Sequence, residues 1–236
     1  MSDKEGVPRT SDAAALYRLM AWLSPAYPVG AFSYSSGIEW AVEAGDITDA
    51  ITLQRWLTAT IGYGGGFCDA AIFVHVYRAT ASSDEPALKD VAELAAAFAP
   101  SKERFLETTA QGRAFIDATL AAWPSATLSR LMTKWDGPTA YPVAVGITAA
   151  GHDIPLEGAL TALLHAIAAN LVSAGVRLVP LGQTDGQRVL ASLEPVIATA
   201  AHRALDTAVA DIGGASFRAD IASMRHERQY TRLFRS

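Results

Sequence analysis

The sequence contains one cysteine, Cys68, in 236 residues. A single thiol excludes an intrachain disulfide and any zinc centre of the multi-cysteine kind, and it fits a reducing cytoplasm. Charge is sparse as well: 18 % of residues are charged, 19 basic against 24 acidic, for a net charge of −5. That balance argues against general affinity for nucleic acid or for an anionic membrane surface. The opening residues, MSDKEGVPRT, lack the apolar run of a secretory signal. There is no G-x-x-x-x-G-K-[ST], so the phosphate-cradling loop and its lysine are missing. GYGGGF, around Gly64–Gly66, has glycines but no lysine and reads as a kink or close helix contact. A G-x-S-x-G nucleophile elbow is also missing. His75, His152, His165, His202 and His226 never take the H-x-x-x-H spacing that puts two imidazoles on one helical face. No segment alternates with period two over a strand length.

What is present is helical periodicity and apolar bulk. Half of the residues are hydrophobic, enough for a buried core, and no repeat, low-complexity block or interdomain linker interrupts them. A first helix begins near Ser11 and Asp12 and stops at Pro25; a short one starts near Gly37, where Ser36 and Glu39 match an S-x-x-E capping box. Further helices are expected from about Asp49, over Asp69–Thr80, up to Pro100, and from Ser101 to about Ala122. Ser125 to Asp153 is poorly patterned, with two short helices broken by Pro138 and Pro142. Between Glu157 and Arg177 no residue carries a formal charge, a length that suggests a membrane span. His165, Asn170 and Ser173 lower its hydrophobicity, and its leucines recur at helical spacing, so it reads as a central buried helix. A second capping box, Thr184 with Gln187, opens a last long helix that reaches about Asp211. The expected fold is all-α: one domain over residues 1–236, a bundle of roughly ten helices, with a flexible segment at 1–10 and a partly flexible docking tail at 213–236.

Two segments stand apart. Ser24 to Trp40, SPAYPVGAFSYSSGIEW, sets Tyr27, Phe32 and Tyr34 among prolines and glycines, on a path that suits neither helix nor strand. Such a loop either plugs a core or waits for a partner. From Gly213 to Ser236 five arginines stand against Asp220 and Glu227, so the tail is +3 and the rest of the chain −8. The candidate partner-binding residues are Tyr27, Phe32, Tyr34, Ser35 and Glu39 with Arg232, Leu233, Phe234 and Arg235. Phe234 beside arginine is a common interface composition. The alternative is a tail folded permanently on its own acidic helix near Glu39 and Glu43. Those carboxylates, with Asp46 and Asp49, otherwise read as a solvated face. His226 opens HERQY, which lacks the second histidine of a zinc-protease motif, and reads as a solvated or interface residue. His165 reads as a hydrogen-bonded core histidine and Cys68 as a buried thiol. No catalytic constellation and no metal-ligand set emerges. A helical enzyme with a pocket near the aromatic loop, Arg177 and Gln183 is the second reading.

Four separated stretches closely resemble the urease accessory protein F family, UreF: Leu23–Gly45, Glu103–Phe115 (ERFLETTAQGRAF), Asn170–Pro195 (with RLVPLGQTDGQ) and the ending HERQYTRLFRS. The resemblance is ordered and spans nearly the whole chain; Ser36 and Cys68 are modest departures. It implies an all-helical, non-enzymatic assembly factor that forms a homodimer in the cytoplasm. By the same resemblance it would bind a second accessory protein (UreD, or UreH in some organisms) and recruit the UreG GTPase. The complex would load nickel into apo-urease, handling the metal only transiently and with no cofactor of its own. Without a phosphate loop, such a chain can affect GTP hydrolysis only in trans, by positioning the GTPase or offering an arginine.

Overall fold

The computed structural model describes residues 10–236, and every regular element among them is helical. Twelve α-helices follow in order: α1 (Asp12–Trp22), α2 (Ile38–Glu43), α3 (Ala50–Tyr63), α4 (Gly65–Ala81), α5 (Glu85–Ala97) and α6 (Lys102–Ala122) form the first half. The second half holds α7 (Ala126–Lys134), α8 (Tyr141–Gly151), α9 (Leu156–Leu178), α10 (Gln183–Ser192), α11 (Glu194–Asp206) and α12 (Phe217–His226). Single 3₁₀ turns occur at Ala31–Ser33 and Val209–Asp211. The all-α class is as expected. The flexible segment expected at 1–10 lies, for residues 1–9, outside the described residues.

Several helix starts follow local chemistry. Ser11, Asp49, Ser101 and Ser125 each accept the backbone N–H three residues on, which satisfies one orphan donor of the first turn. Asp49 and Thr52 form a reciprocal capping box. The two boxes expected from sequence do not form. Ser36 sits at φ +53° with its hydroxyl donating to Glu107, while Thr184 lies inside α10, whose N-cap is Gly182. Pro142 starts α8 where a break was expected, because proline fits a first helical turn. The single long helix expected up to Asp211 is two, α10 and α11, with Pro195 in the first turn of the second.

The core is one continuous set of buried side chains. Helix α8 is buried from Pro142 to Ala150 and lies against α4 and α6. A Cβ on Gly146 would come 2.8 Å from Val76 Cγ1, so only glycine lets α8 approach α4 this closely. Leu160, Leu163 and Leu164 of α9 are fully buried, but His165 is exposed, contrary to the core position expected for it. The stretches Ala50–Ala81 and Leu156–Leu178 are each long and apolar enough to cross a membrane. The first is broken at Gly64 between α3 and α4, and both pack within the bundle. Cys68 is buried, and burial pushes its thiol up to about 12.

Candidate functional site

The aromatic loop and the C-terminal tail, 200 residues apart in sequence, form one structure. The loop leaves α1 at Leu23, turns at Gly30 (φ +70°) and enters α2 through Gly37 (φ +85°). A Cβ on Gly37 would lie 2.6 Å from Ser223 N, so α12 can cross the loop only over a glycine. Two extended residues of the tail then pair with the loop: Arg235 N donates to Ser33 O at 2.8 Å and Ser35 N to Ser236 O at 2.8 Å. The Ser35 hydroxyl donates to the same Ser236 oxygen at 2.5 Å.

Three glutamates anchor this pairing from beneath. Glu39, in the first turn of α2, accepts Leu233 N–H on Oε1 at 2.6 Å and Phe234 N–H on Oε2 at 2.9 Å. Its Oε2 also lies 3.1 Å from His226 Nε2. Glu103 of α6 meets the other ring nitrogen, Nδ1, at 2.6 Å and takes Arg232 on Oε1 at 2.6 Å. Glu107, one turn on, accepts from the Ser236 and Ser36 hydroxyls and pairs with Arg104. All three carboxylates are nearly buried, and each has charge-assisted partners, which is what makes their burial tolerable. Arg177 closes the outer edge: it donates to Phe32 O at 2.6 Å and its guanidinium lies 4.3 Å from the centre of the Phe234 ring.

The sequence-predicted residues therefore divide. Tyr27 belongs to the core, its ring tilted against Phe115 at 5.2 Å between centroids and its hydroxyl bonded to Thr119 at 2.8 Å. Ser35, Glu39 and Phe234 (4 % exposed) are buried parts of the clasp. Phe32 (68 %) and Leu233 (60 %) point outward, Arg232 and Arg235 are exposed, and Tyr34 is half-buried. The tail expected to be loose is held by its own backbone donors, and residues 217–226, expected to lack support, form α12. His226 is neither solvated nor at a surface: it is fully buried with both nitrogens engaged. The sequence reading missed Glu103, Glu107 and Arg177 as clasp residues, since pairs so far apart carry no local spacing signal. Phe217, Ile221 and Met224, which read from sequence as sparse apolar anchors of the tail, instead face outward along α12. Arg225, Arg228 and Arg235 make no ion pair among the described residues.

Behind the clasp lies a cavity of about 440 Å³, bounded by the loop, α4, α6, α9 and α12, with Asp69, Arg104, Glu107 and Asp220 on its wall. Burial pushes the Asp69 carboxyl up to about 6; Arg104, 3.8 Å away, pulls it back and Glu107 adds to the rise. Among the described residues no group of three or more His, Cys, Asp or Glu side chains is placed to hold a metal ion.

Fold and site together define an all-helical protein whose distinguishing feature is a loop-and-tail surface built over buried glutamates. The family model described as UreF matches residues 47–194. The urease accessory protein UreF of Rhodopseudomonas palustris (strain BisB18) is 60 % identical over 226 residues, covering 96 % of this chain and 94 % of the relative. That of Bradyrhizobium diazoefficiens is 61 % identical over 225 residues, covering 95 % and 93 %. The chain belongs to the UreF family.

Proposed function

We propose that this chain is an accessory protein of urease maturation: a non-catalytic scaffold that docks a UreD/UreH-type partner, recruits the UreG GTPase and supports nickel insertion into apo-urease. Family membership supports the maturation role. The observation that carries the scaffold reading is the clasp. It fixes a loop and a tail with buried carboxylates while Phe32, Leu233 and Tyr230 are left exposed, and Arg225, Arg228 and Arg235 of the same C-terminal segment make no ion pair among the described residues. Exposed aromatic and apolar side chains bordered by arginine are the composition of a protein interface. The partner-binding set is Phe32, Tyr34, Arg232, Leu233 and Arg235 on the surface, with Tyr27, Ser35, Glu39 and Phe234 holding them in place. Nickel is cargo of the complex and not a resident cofactor. The working unit is a homodimer in the cytoplasm, and the GTPase is influenced in trans.

The test is co-expression of the tagged chain with its cognate UreD/UreH-type protein, UreG and apo-urease. Phe32→Ala and Leu233→Ala remove exposed side chains, so folding is left intact. Combined, they should lower partner capture and urease activation by about tenfold or more. Unchanged capture and activation would overturn the reading. The cavity favours the second reading, a small-molecule enzyme, and that reading requires turnover by the purified chain without partners.

A further inference from the structure

Helix α1 is held in an unusual way. Only Ala15, Leu19 and Trp22 of it are buried, while Leu16, Tyr17 and Met20 face outward. From residues 10–22 two side-chain hydrogen bonds reach the rest of the fold, and both end on one residue, His152 at the end of α8. The Thr10 hydroxyl donates to His152 O at 2.7 Å, and Arg18 NH1 lies 3.1 Å from His152 Nδ1. The ring's other nitrogen, Nε2, lies 3.1 Å from Trp123 O beyond α6. Trp22 packs on the same ring at 5.1 Å between centroids, and its own Nε1 is buried without a partner.

These contacts fix the state of the imidazole. A guanidinium has only donors, so Nδ1 must accept; a carbonyl only accepts, so Nε2 must carry the hydrogen. The neutral ring in one tautomer satisfies both. A proton added at Nδ1 would remove the Arg18 hydrogen bond and set imidazolium against guanidinium at 3.1 Å. The charged and polar groups facing the ring are Arg18 from α1, the Trp123 carbonyl just after α6 and Asp153 from the turn into α9. Burial holds the ring below its ordinary value of 6.5 and Arg18 adds to this, while the Trp123 carbonyl and Asp153 oppose it.

We propose that His152 is an acid-operated latch: its neutral ring holds α1 on α6 and α8, and protonation releases the helix and loosens the root of the aromatic loop. The loop follows α1 directly, and Trp22 and Tyr27 both pack on Trp123, at 6.1 and 6.3 Å between centroids. Losing the α1 contact therefore frees one end of the segment that carries Phe32. The sign follows from linkage. A released ring titrates near 6.5 and the latched ring lower, so as pH falls past 6.5 the released form takes up a proton that the latched form refuses. Above that value the latch is shut.

The proposal concerns the isolated chain and stands whether or not the protein serves urease maturation. Hydrogen exchange of the full chain at about pH 7.5 and about pH 5.5, corrected for the intrinsic chemical rate, tests it. Peptides over residues 12–23 should lose about tenfold protection at the lower pH relative to α8, reversibly. His152→Gln keeps a donor and an acceptor without titrating, and should flatten the response. Arg18→Met removes the facing cation from an accessible position and should shrink it, which keeps the test open if the histidine variant fails to fold. A wild-type change smaller than about twofold, or equal changes in wild type and the Arg18 variant, would overturn the latch.

Discussion

Single carboxylates do different work here according to what faces them. Glu39 occupies the third position after Ser36, the spacing of a capping box, yet its oxygens go to the amides of Leu233 and Phe234 and to His226. No local pattern announces this, because the donors lie some 190 positions further on. Glu39→Gln places an amide NH₂ against a backbone N–H and leaves the buried ring one carboxylate short. It should cost about 1.5–3 kcal/mol in urea denaturation at unchanged m-value. Asp69 behaves oppositely. The folded chain keeps its proton up to about 6 while the unfolded chain gives it up near 3.8, so stability falls as pH rises through that window. Asp69→Asn should therefore stabilise by on the order of 1–3 kcal/mol near pH 8 and by little below pH 4. The side chain is 22 % exposed to the cavity, which places the gain at the lower end.

At the scale of elements, legibility followed the range of the interactions. The starts of α1, α3 and α6 could be read because Ser11, Asp49 and Ser101 cap within three residues. The α3–α4 break could be read from its glycines. Helix α12 could not, since its buried face is Ala222, Ser223 and His226, small and polar residues that become a packing face only when α2 and α6 are already in place. Gly37 is where that dependence can be measured. Gly37→Ala meets both a left-handed backbone and the Ser223 amide, so it should cost on the order of 2–4 kcal/mol and strip exchange protection from α12. Gly45 has a similar φ of +80° but open space around its Cβ position. Gly45→Ala should cost only about 1 kcal/mol, and the difference isolates the crossing of α12 over the loop.

For the molecule as a whole, the question is whether the tail is part of the fold or an arm that folds on a partner. Sequence left both open, because a +3 segment on a −8 chain is as consistent with an internal acidic seat as with an external one. The structure supplies the seat: Gln229 on Glu43, Arg232 on Glu103, the Leu233 and Phe234 amides on Glu39, and Ser236 on Glu107. In the proposed scaffold, docking and folding therefore share one segment but use different atoms of it. Removing Leu233–Ser236 takes two amide donors from Glu39 and one hydroxyl donor from Glu107 and uncovers Arg177, so it should cost about 2–4 kcal/mol as well as partner capture. Phe234→Ala keeps those amide and hydroxyl donors and removes only the buried ring and its Arg177 contact, so it should reproduce part of the stability loss, whereas Leu233→Ala, at an outward position, should change stability by about 0.5 kcal/mol or less and still weaken capture. Hydrogen exchange over residues 229–236 gives the independent reading: protection in the free chain, little increased in the complex. A truncated chain as stable as the full one, with rapid tail exchange before binding, would show that the clasp forms only on a partner.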